Sequence, residues 1–321
     1  MKVRYLPLIA AFAWAAWPAA APRGQEPAKK GQAPAAAATT QAKKEYVGSD
    51  TCAGCHDEIH TNFKKNAHVI LETAKSRGWE GKACESCHGP GSVHAETTSA
   101  DDILSPKKMT PAAIDQMCLG CHKNQQTQAG RVQSGHARNS VPCTACHNVH
   151  QTGEESSARQ FRRPAGINRN CQGCHMDVWA SFQKPHRHPL PEGAMSCTSC
   201  HNPHGSFLNR NLRLTSGQQP GCFQCHSDKR GPFVFEHAPV RNEPCTICHE
   251  AHGSANPRMM TRHEVANLCL ECHSNILSPP QATTAGGVAI ATHDLRLPRW
   301  RNCTACHQKV HGSNVNGALL R

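Results

Sequence analysis

The stretch Met195-Ser-Cys-Thr-Ser-Cys-His-Asn-Pro-His-Gly205 contains two features that recur along this chain: a Cys-x-x-Cys-His motif and a second histidine soon after it. The motif occurs ten times and uses all 20 cysteines of the 321 residues. Two thiols at this spacing can each form a thioether to a haem vinyl group, and the adjacent histidine can bind the iron. The pattern therefore predicts ten covalently bound haems c. Their attachment residues are Cys52, Cys55, Cys84, Cys87, Cys118, Cys121, Cys143, Cys146, Cys171, Cys174, Cys197, Cys200, Cys222, Cys225, Cys245, Cys248, Cys269, Cys272, Cys303 and Cys306.

Cysteine pairs at the same spacing also occur in zinc ribbons, disulfide frameworks and thioredoxin-like redox sites. None of those sites requires a histidine directly after the second cysteine, yet a histidine follows in all ten cases here. We therefore interpret the motif histidines as proximal iron ligands. They are His56, His88, His122, His147, His175, His201, His226, His249, His273 and His307.

Thirteen further histidines lie outside the motifs, and a repeat selects among them. We number the motifs 1 to 10 and pair them consecutively as units 1 to 5. A histidine follows each odd-numbered motif after 11 to 20 residues and each even-numbered motif after three to six. The predicted distal ligands are His68, His94, His136, His150, His188, His204, His237, His252, His293 and His311, with His186 as the alternative to His188.

The remaining histidines, His60, His263 and one of the His186/His188 pair, are interpreted as surface residues. The methionines after Met1 follow no comparable repeat, so coordination by two histidines is favoured over a histidine and a methionine. The spacing does not assign a particular distal histidine to a particular haem.

The composition favours a fold built around its cofactors. Aromatic residues make up only 5% of the chain, so a conventional core is not expected, and porphyrin faces are predicted to supply the apolar mass. We predict a haem-cored, loop-rich multihaem cytochrome c with short α-helices and little or no β-structure, arranged as an elongated wire of five dihaem units. The apolar pairs Ile59/Phe63 and Val178/Phe182 predict a short helix after motifs 1 and 5.

The amino terminus reads as a secretion signal. Basic Lys2 and Arg4 precede an apolar run, so residues 1–21 are predicted to be a signal peptide, with an uncleaved anchor as the alternative. Residues 22–45 are Ala/Pro/Lys-rich and predict a disordered tether, and residues 46–321 form the decahaem domain. No cysteine precedes Cys52, so no lipid anchor is expected. These features predict a periplasmic protein.

The formal charge of +12 does not by itself indicate nucleic-acid binding, because haem changes it. Ten haems add about −20 from propionates and about +10 from ferric iron, which leaves about +2 oxidised and about −8 reduced. No stripe of basic and aromatic residues indicates a nucleic-acid partner.

Several segments make the chain resemble a known family, the MtrA/DmsE-type decahaem c-type cytochromes of Gram-negative bacteria. They are Cys84-Glu-Ser-Cys-His-Gly-Pro-Gly-Ser-Val-His94, the 195–205 stretch, Cys222-Phe-Gln-Cys-His-Ser-Asp-Lys-Arg-Gly-Pro-Phe233 and His311-Gly-Ser-Asn314. The resemblance implies a wire of bis-histidine haems inserted in an outer-membrane β-barrel, porin-like partner. It also implies electron exchange with extracellular or periplasmic multihaem cytochromes, and association with the outer membrane.

Two alternatives remain open from the sequence. One is a soluble periplasmic carrier that feeds a terminal reductase, such as one for dimethyl sulfoxide. The other is a multihaem nitrite or hydroxylamine reductase, which requires an iron with an open coordination position. No motif replaces the proximal histidine with lysine, and candidate distal histidines outnumber the motifs. We therefore expect an electron-transfer protein without catalytic residues.

Overall fold

The computed structural model of the chain describes residues 43–151, 157–213, 221–274, 293, 295 and 297–321. The predicted signal peptide and most of the predicted tether, residues 1–42, lie outside the described residues. Glu45, the last residue of the predicted tether, exchanges two hydrogen bonds with Ser92. The Glu45 N–H donates to Ser92 Oγ at 2.9 Å, and the Ser92 N–H donates to the Glu45 carbonyl at 3.2 Å.

Short α-helices separated by loops and 3₁₀ turns form the described structure. The helices are α1 Ser49–Ala53, α2 Asp57–Phe63, α3 Ile70–Thr73, α4 Glu85–His88, α5 Ser92–Thr97, α6 Pro111–His122, α7 Gly135–Arg138, α8 Ser157–Gln160, α9 Pro164–Gln172, α10 Met176–Ser181, α11 Ala238–Asn242, α12 Val265–Leu270, α13 Pro298–Arg301 and α14 Cys303–Cys306. The predicted short helices after motifs 1 and 5 are confirmed as α2 and α10, although α10 ends one residue before Phe182.

Odd-numbered and even-numbered motifs begin in different local structures. The first cysteine of motif 3 lies inside α6. This helix starts at Pro111 and is capped by the preceding Thr110, whose side-chain oxygen accepts the Ala113 N–H at 3.3 Å. The even-numbered motifs instead occupy single turns, such as the 3₁₀ turn Cys197–Ser199. An α-helix thus contains the first cysteine of units 1, 2, 3 and 5, whereas unit 4 begins in the 3₁₀ turn Gly221–Gln224.

The prediction of little or no β-structure is confirmed for the described ranges, where only four isolated bridges occur and no strand forms. Two of the bridges join neighbouring units: His186 pairs with Ser254, and Phe235 pairs with Ser313. Among the same residues, no helix is long and apolar enough to cross a membrane.

Few apolar side chains are buried in the described part of the chain. They are Leu71, Ala83, Ile114, Phe182, Leu190 and Ala266. Buried polar residues are at least as prominent, and Glu85 and Asn168 are each only 2% exposed. Side chains alone therefore do not build an apolar core in proportion to the chain length, as the composition predicts.

Two glycines mark places where neighbouring units touch through their backbones. A Cβ on Gly205 (φ +102°) would lie 2.3 Å from the Gly130 carbonyl oxygen. A Cβ on Gly253 (φ +135°) would lie 2.4 Å from the Ser181 carbonyl oxygen. Each glycine directly follows a predicted distal ligand, so its small size lets that ligand approach the adjacent unit.

Candidate haem-binding sites

Each Cys-x-x-Cys-His motif folds into one helical turn. In motif 6, for example, the His201 N–H donates to the Cys197 carbonyl oxygen at 2.9 Å, and the same i to i−4 bond closes the other motifs outside α6 at 2.9–3.0 Å. In motif 3 the turn is part of α6. One turn places both thiols and the following imidazole on the same local scaffold, as attachment to a single haem requires.

Within each unit, the first cysteines of the two motifs are neighbours. The hydrogen bond from Cys143 lowers the pKa of the Cys118 thiol to about 7, and the corresponding bond from Cys171 lowers that of Cys197 to about 7. In unit 1, burial and then the charge of Cys84 raise the pKa of Cys52 to about 11. Contacts of the same kind join Cys222 to Cys245 and Cys269 to Cys303.

Between units, the second cysteine of each even-numbered motif lies near the next motif. Burial raises the pKa of Cys87, and Cys118 and Cys121 of unit 2 add to that increase. Burial likewise raises the pKa of Cys200, followed by the charges of Cys222 and Cys225. The equivalent neighbours at the other two junctions are Cys146 with Cys171 and Cys248 with Cys272. Consecutive motifs are therefore adjacent along the whole series from 1 to 10.

Two polar residues, the part-buried Asp115 and the buried Asn168, hold the second motif of their units in place. The Cys143 N–H donates to Asp115 Oδ1 at 2.9 Å, and the Cys197 N–H donates to Asn168 Oδ1 at 3.0 Å. The sequence analysis missed both residues. Their shared position, three residues before the first cysteine of an odd-numbered motif, is a signal that could have identified them.

The predicted proximal and distal histidines form ten imidazole pairs, with ring centroids 5.8–6.3 Å apart. In order of motif number, proximal residue first, the pairs are His56/His94, His88/His150, His122/His68, His147/His204, His175/His136, His201/His252, His226/His188, His249/His311, His273/His237 and His307/His293. Each predicted ligand occurs once.

This separation suits one metal ion between two imidazoles. A metal–imidazole bond of about 2.0–2.1 Å, plus about 1.1 Å from the nitrogen to the ring centre, gives roughly 6.3 Å for two rings on opposite sides of a metal. Direct stacking would bring the ring centres closer, and so would a hydrogen bond between two ring nitrogens, which at about 2.9 Å places the centres roughly 5 Å apart. The residues therefore fit an iron held on both faces.

The pairing follows a rule of exchange between neighbouring units. The histidine after an odd-numbered motif faces the odd-numbered motif of the next unit, as His136 of unit 2 faces His175 of unit 3. The histidine after an even-numbered motif faces the even-numbered motif of the preceding unit, as His204 of unit 3 faces His147 of unit 2. Only the ends pair internally, through His94 in unit 1 and His293 in unit 5.

A hydrogen bond links the two exchanged ligands at each junction. The Nδ1 atom of the forward ligand contacts the carbonyl oxygen of the residue just before the backward ligand: His136 with Pro203, His188 with Ala251 and His237 with Val310, each at 2.9 Å. At the first junction, Asn66 mediates the link, because its Oδ1 lies 3.1 Å from His68 Nδ1 and its Nδ2 donates to the Val149 carbonyl.

These hydrogen bonds also set the tautomer of the imidazole. A carbonyl oxygen only accepts, so Nδ1 carries the proton and Nε2 keeps its lone pair for a metal. Proximal histidines of even-numbered motifs follow the same scheme: His201 donates to the Arg210 carbonyl at 2.8 Å, and His249 donates to the Arg258 carbonyl at 3.0 Å.

Burial keeps several of the paired imidazoles neutral. It lowers the pKa of His204 to about 4, with the neighbouring His147 as the next cause. Burial is also the largest cause of the lowered pKa values of His68, His147, His150, His252 and His311. A neutral imidazole is the form that binds a metal, so these side chains are ready ligands at neutral pH.

The structure brings His188, and not His186, next to a proximal histidine. His188 pairs with His226 at 6.3 Å, while the His186 backbone is bridged to Ser254. His186 corresponds to Phe235 in the next unit, which also lies two residues before its ligand and forms the same kind of bridge. The other unpaired candidates lie elsewhere: His263 Nδ1 is 3.3 Å from Asn256 Oδ1, and His60 is part of α2.

We predict that His188→Ala creates one high-spin haem among ten, because His226 would then face no second imidazole. The matched variant His186→Ala should leave all haems low-spin. Electron paramagnetic resonance of the oxidised proteins would measure the high-spin fraction, and carbon monoxide binding to the reduced proteins would count open positions. A high-spin signal in His186→Ala alone would reverse the assignment.

The chain is similar to known multihaem cytochromes. Residues 188–231 and 237–277 match the family model described as doubled CXXCH motif, and residues 13–89 match that of cytochrome c554 and c-prime. The chain is 33% identical to the multihaem cytochrome MtrA of Shewanella baltica over 280 residues, covering 85% of this chain and 81% of that protein. It is 22% identical to the high-molecular-weight cytochrome c of Nitratidesulfovibrio vulgaris, covering 84% of this chain and 52% of that protein.

Proposed function

Because the chain belongs to the MtrA family of multihaem c-type cytochromes, we propose that it binds one haem c at each of its ten motifs and conducts electrons along the series. Each haem supplies an iron that accepts and releases one electron. The observation that supports this function best is the set of ten imidazole pairs, all at one narrow spacing. Two histidines on each iron leave no open position for a substrate, which supports an electron-transfer protein over an enzyme.

The order of the cysteines supports conduction from one end of the chain to the other. The first cysteines meet within a unit, and the second cysteine of an even-numbered motif lies beside the next unit. Haems attached to these residues would follow one another in sequence order. A six-coordinate iron changes little on reduction, so the reorganisation that accompanies each electron transfer is small.

The family membership also supports a location and partners. We propose that the protein works in the periplasm at the outer membrane, inserted in a β-barrel, porin-like partner, and exchanges electrons with extracellular or periplasmic multihaem cytochromes. The junctions suit that environment, because both ligands of every internal iron come from this chain and none has to be supplied by a partner.

Two measurements test the proposal. Mass spectrometry of the mature protein should show ten attached haems, and its oxidised spectrum should be low-spin throughout. Affinity purification of the full chain from detergent-solubilised membranes should then recover a β-barrel protein, and vesicles holding that complex should pass electrons from an internal donor to an external acceptor. Recovery only as a free protein in the periplasmic fraction would contradict the barrel partnership.

A further inference from the structure

The amino-terminal unit contains a buried acidic residue that differs from the polar groups of its neighbours. Glu85, inside motif 2, is 2% exposed. Its Oε1 accepts the N–H groups of Val47 and Gly91, both at 2.9 Å, and its Oε2 accepts the N–H of Gly48 at 3.0 Å. Three donors on two oxygens match an ionised carboxylate, since a protonated oxygen would face a donor with its own hydrogen.

No cation neutralises this carboxylate among the described residues. No ion pair joins Glu85 to a lysine or arginine there, and Lys82 of the same unit extends over the Tyr46 ring, with Nζ 5.4 Å from the ring centroid. Unit 2 differs, because the part-buried Asp115 is paired with Arg131, whose Nε donates to Oδ2 at 2.7 Å. Unit 3 has the neutral Asn168 at the position that Asp115 occupies in unit 2.

We propose that Glu85 is a fixed negative charge that lowers the reduction potentials of the two haems of unit 1. This inference rests on the proposed attachment of haems at motifs 1 and 2. Reduction adds one electron to iron, and a nearby negative charge makes that addition less favourable. Burial limits screening by water and salt, so the effect is larger than that of a surface carboxylate.

The charge lies where it can act on both haems. In the sequence, Glu85 lies between the two attachment cysteines of motif 2. It also lies beside motif 1, because its Oε2 accepts the N–H of Gly48, which directly precedes α1, and Cys52 Sγ of motif 1 donates to the Gly48 carbonyl oxygen at 3.5 Å. An electron on unit 1 would therefore move energetically downhill to unit 2, where Arg131 neutralises the carboxylate of Asp115.

Two variants change this charge by different routes. Glu85→Gln removes it at nearly constant shape. Ile103→Lys leaves Glu85 in place and brings an ammonium group close to it. The side chains of Ile103 and Glu85 are neighbours, because both lie beside Gly91: a Cβ built on Gly91 would be 3.7 Å from Ile103 Cδ1 and 3.4 Å from Glu85 Oε1. The matched controls are Ile103→Met, which adds length without charge, and Glu80→Gln, which removes an exposed carboxylate of the same unit.

A spectroscopic redox titration of each full-length holoprotein measures the effect. In Glu85→Gln and Ile103→Lys, the reduction potentials of two of the ten haems, which give one fifth of the amplitude, should rise. The rise should be at least about 59 mV, which is a tenfold change in the one-electron equilibrium constant. The shift should persist at high salt, and Glu85→Asp, which keeps the charge, should retain a low potential. Both controls should titrate like the wild type.

The outcomes separate the two proposals. An unshifted curve for Glu85→Gln with ten low-spin haems would overturn the role of Glu85. If Glu85→Gln fails to mature, an unshifted Ile103→Lys overturns the role in the same way, because a cation beside the Glu85 carboxylate would otherwise raise both potentials. A wild-type mass short of ten haems would instead contradict the proposed function, and it would be seen before any variant is compared.

Discussion

Full-length chain produced without haem attachment is expected to remain unfolded. Only six apolar side chains are buried in the described ranges, and two of them are alanines, Ala83 and Ala266, while ordering each residue carries a substantial entropy cost. The ten imidazole pairs also stop stabilising the fold, since neutral rings about 6 Å apart attract each other only weakly without a shared metal. Without porphyrin faces and axial ligation, nothing of sufficient strength joins the five units.

Expression in a host that lacks cytochrome c maturation tests this expectation. The purified chain should show coil-like circular dichroism, rapid proteolysis and complete loss of a cooperative unfolding transition. The same chain from a maturation-competent host serves as the control and should resist proteolysis. A cooperative thermal transition in the haem-free chain would show that side chains alone stabilise the fold.

Much of the architecture could be predicted from sequence because covalent haem attachment leaves a strict local signature. The ten motifs predict the attachment residues, and the two-motif repeat selects ten distal candidates, all of which lie in imidazole pairs. The absence of strands in the described ranges also follows from composition. Local chemistry repeated at fixed spacing is therefore visible without any structure.

The assignment of ligands to individual motifs could not be predicted, because it depends on which units pack together. His204 follows His201 by three residues, yet it pairs with His147 of the preceding unit. A segment that short cannot pass around a porphyrin edge to its other face, so the ligand serves a neighbour. Tertiary contacts such as the one between Gly205 and Gly130 bring that neighbour into place, and sequence spacing alone does not encode them.

The exchange of ligands predicts that a substitution in one unit opens an iron in another. His311 follows motif 10 by four residues, so local pairing would assign it to motif 10, whose proximal ligand is His307. The structure instead places His311 opposite His249 of unit 4, with ring centroids 6.2 Å apart, and places His293 opposite His307. His311→Ala should therefore create a high-spin haem at motif 8.

Combining this substitution with the loss of single haems identifies which iron is affected. In His311→Ala with Cys245→Ala and Cys248→Ala, haem 8 is absent, and the high-spin signal and carbon monoxide binding should both disappear. With Cys303→Ala and Cys306→Ala instead, haem 10 is absent, and the signal from one haem should persist. Each triple variant is compared with its cysteine-only parent, which reveals any open iron that haem loss alone creates. The opposite pattern would mean that each unit supplies its own ligands. Exchange across the junctions would then be wrong, although the proposal of a ten-haem conductor would still stand.

If the predicted pattern is found, each junction is held by two iron–histidine bonds that cross it in opposite directions, so the units cannot separate without opening an iron on each side.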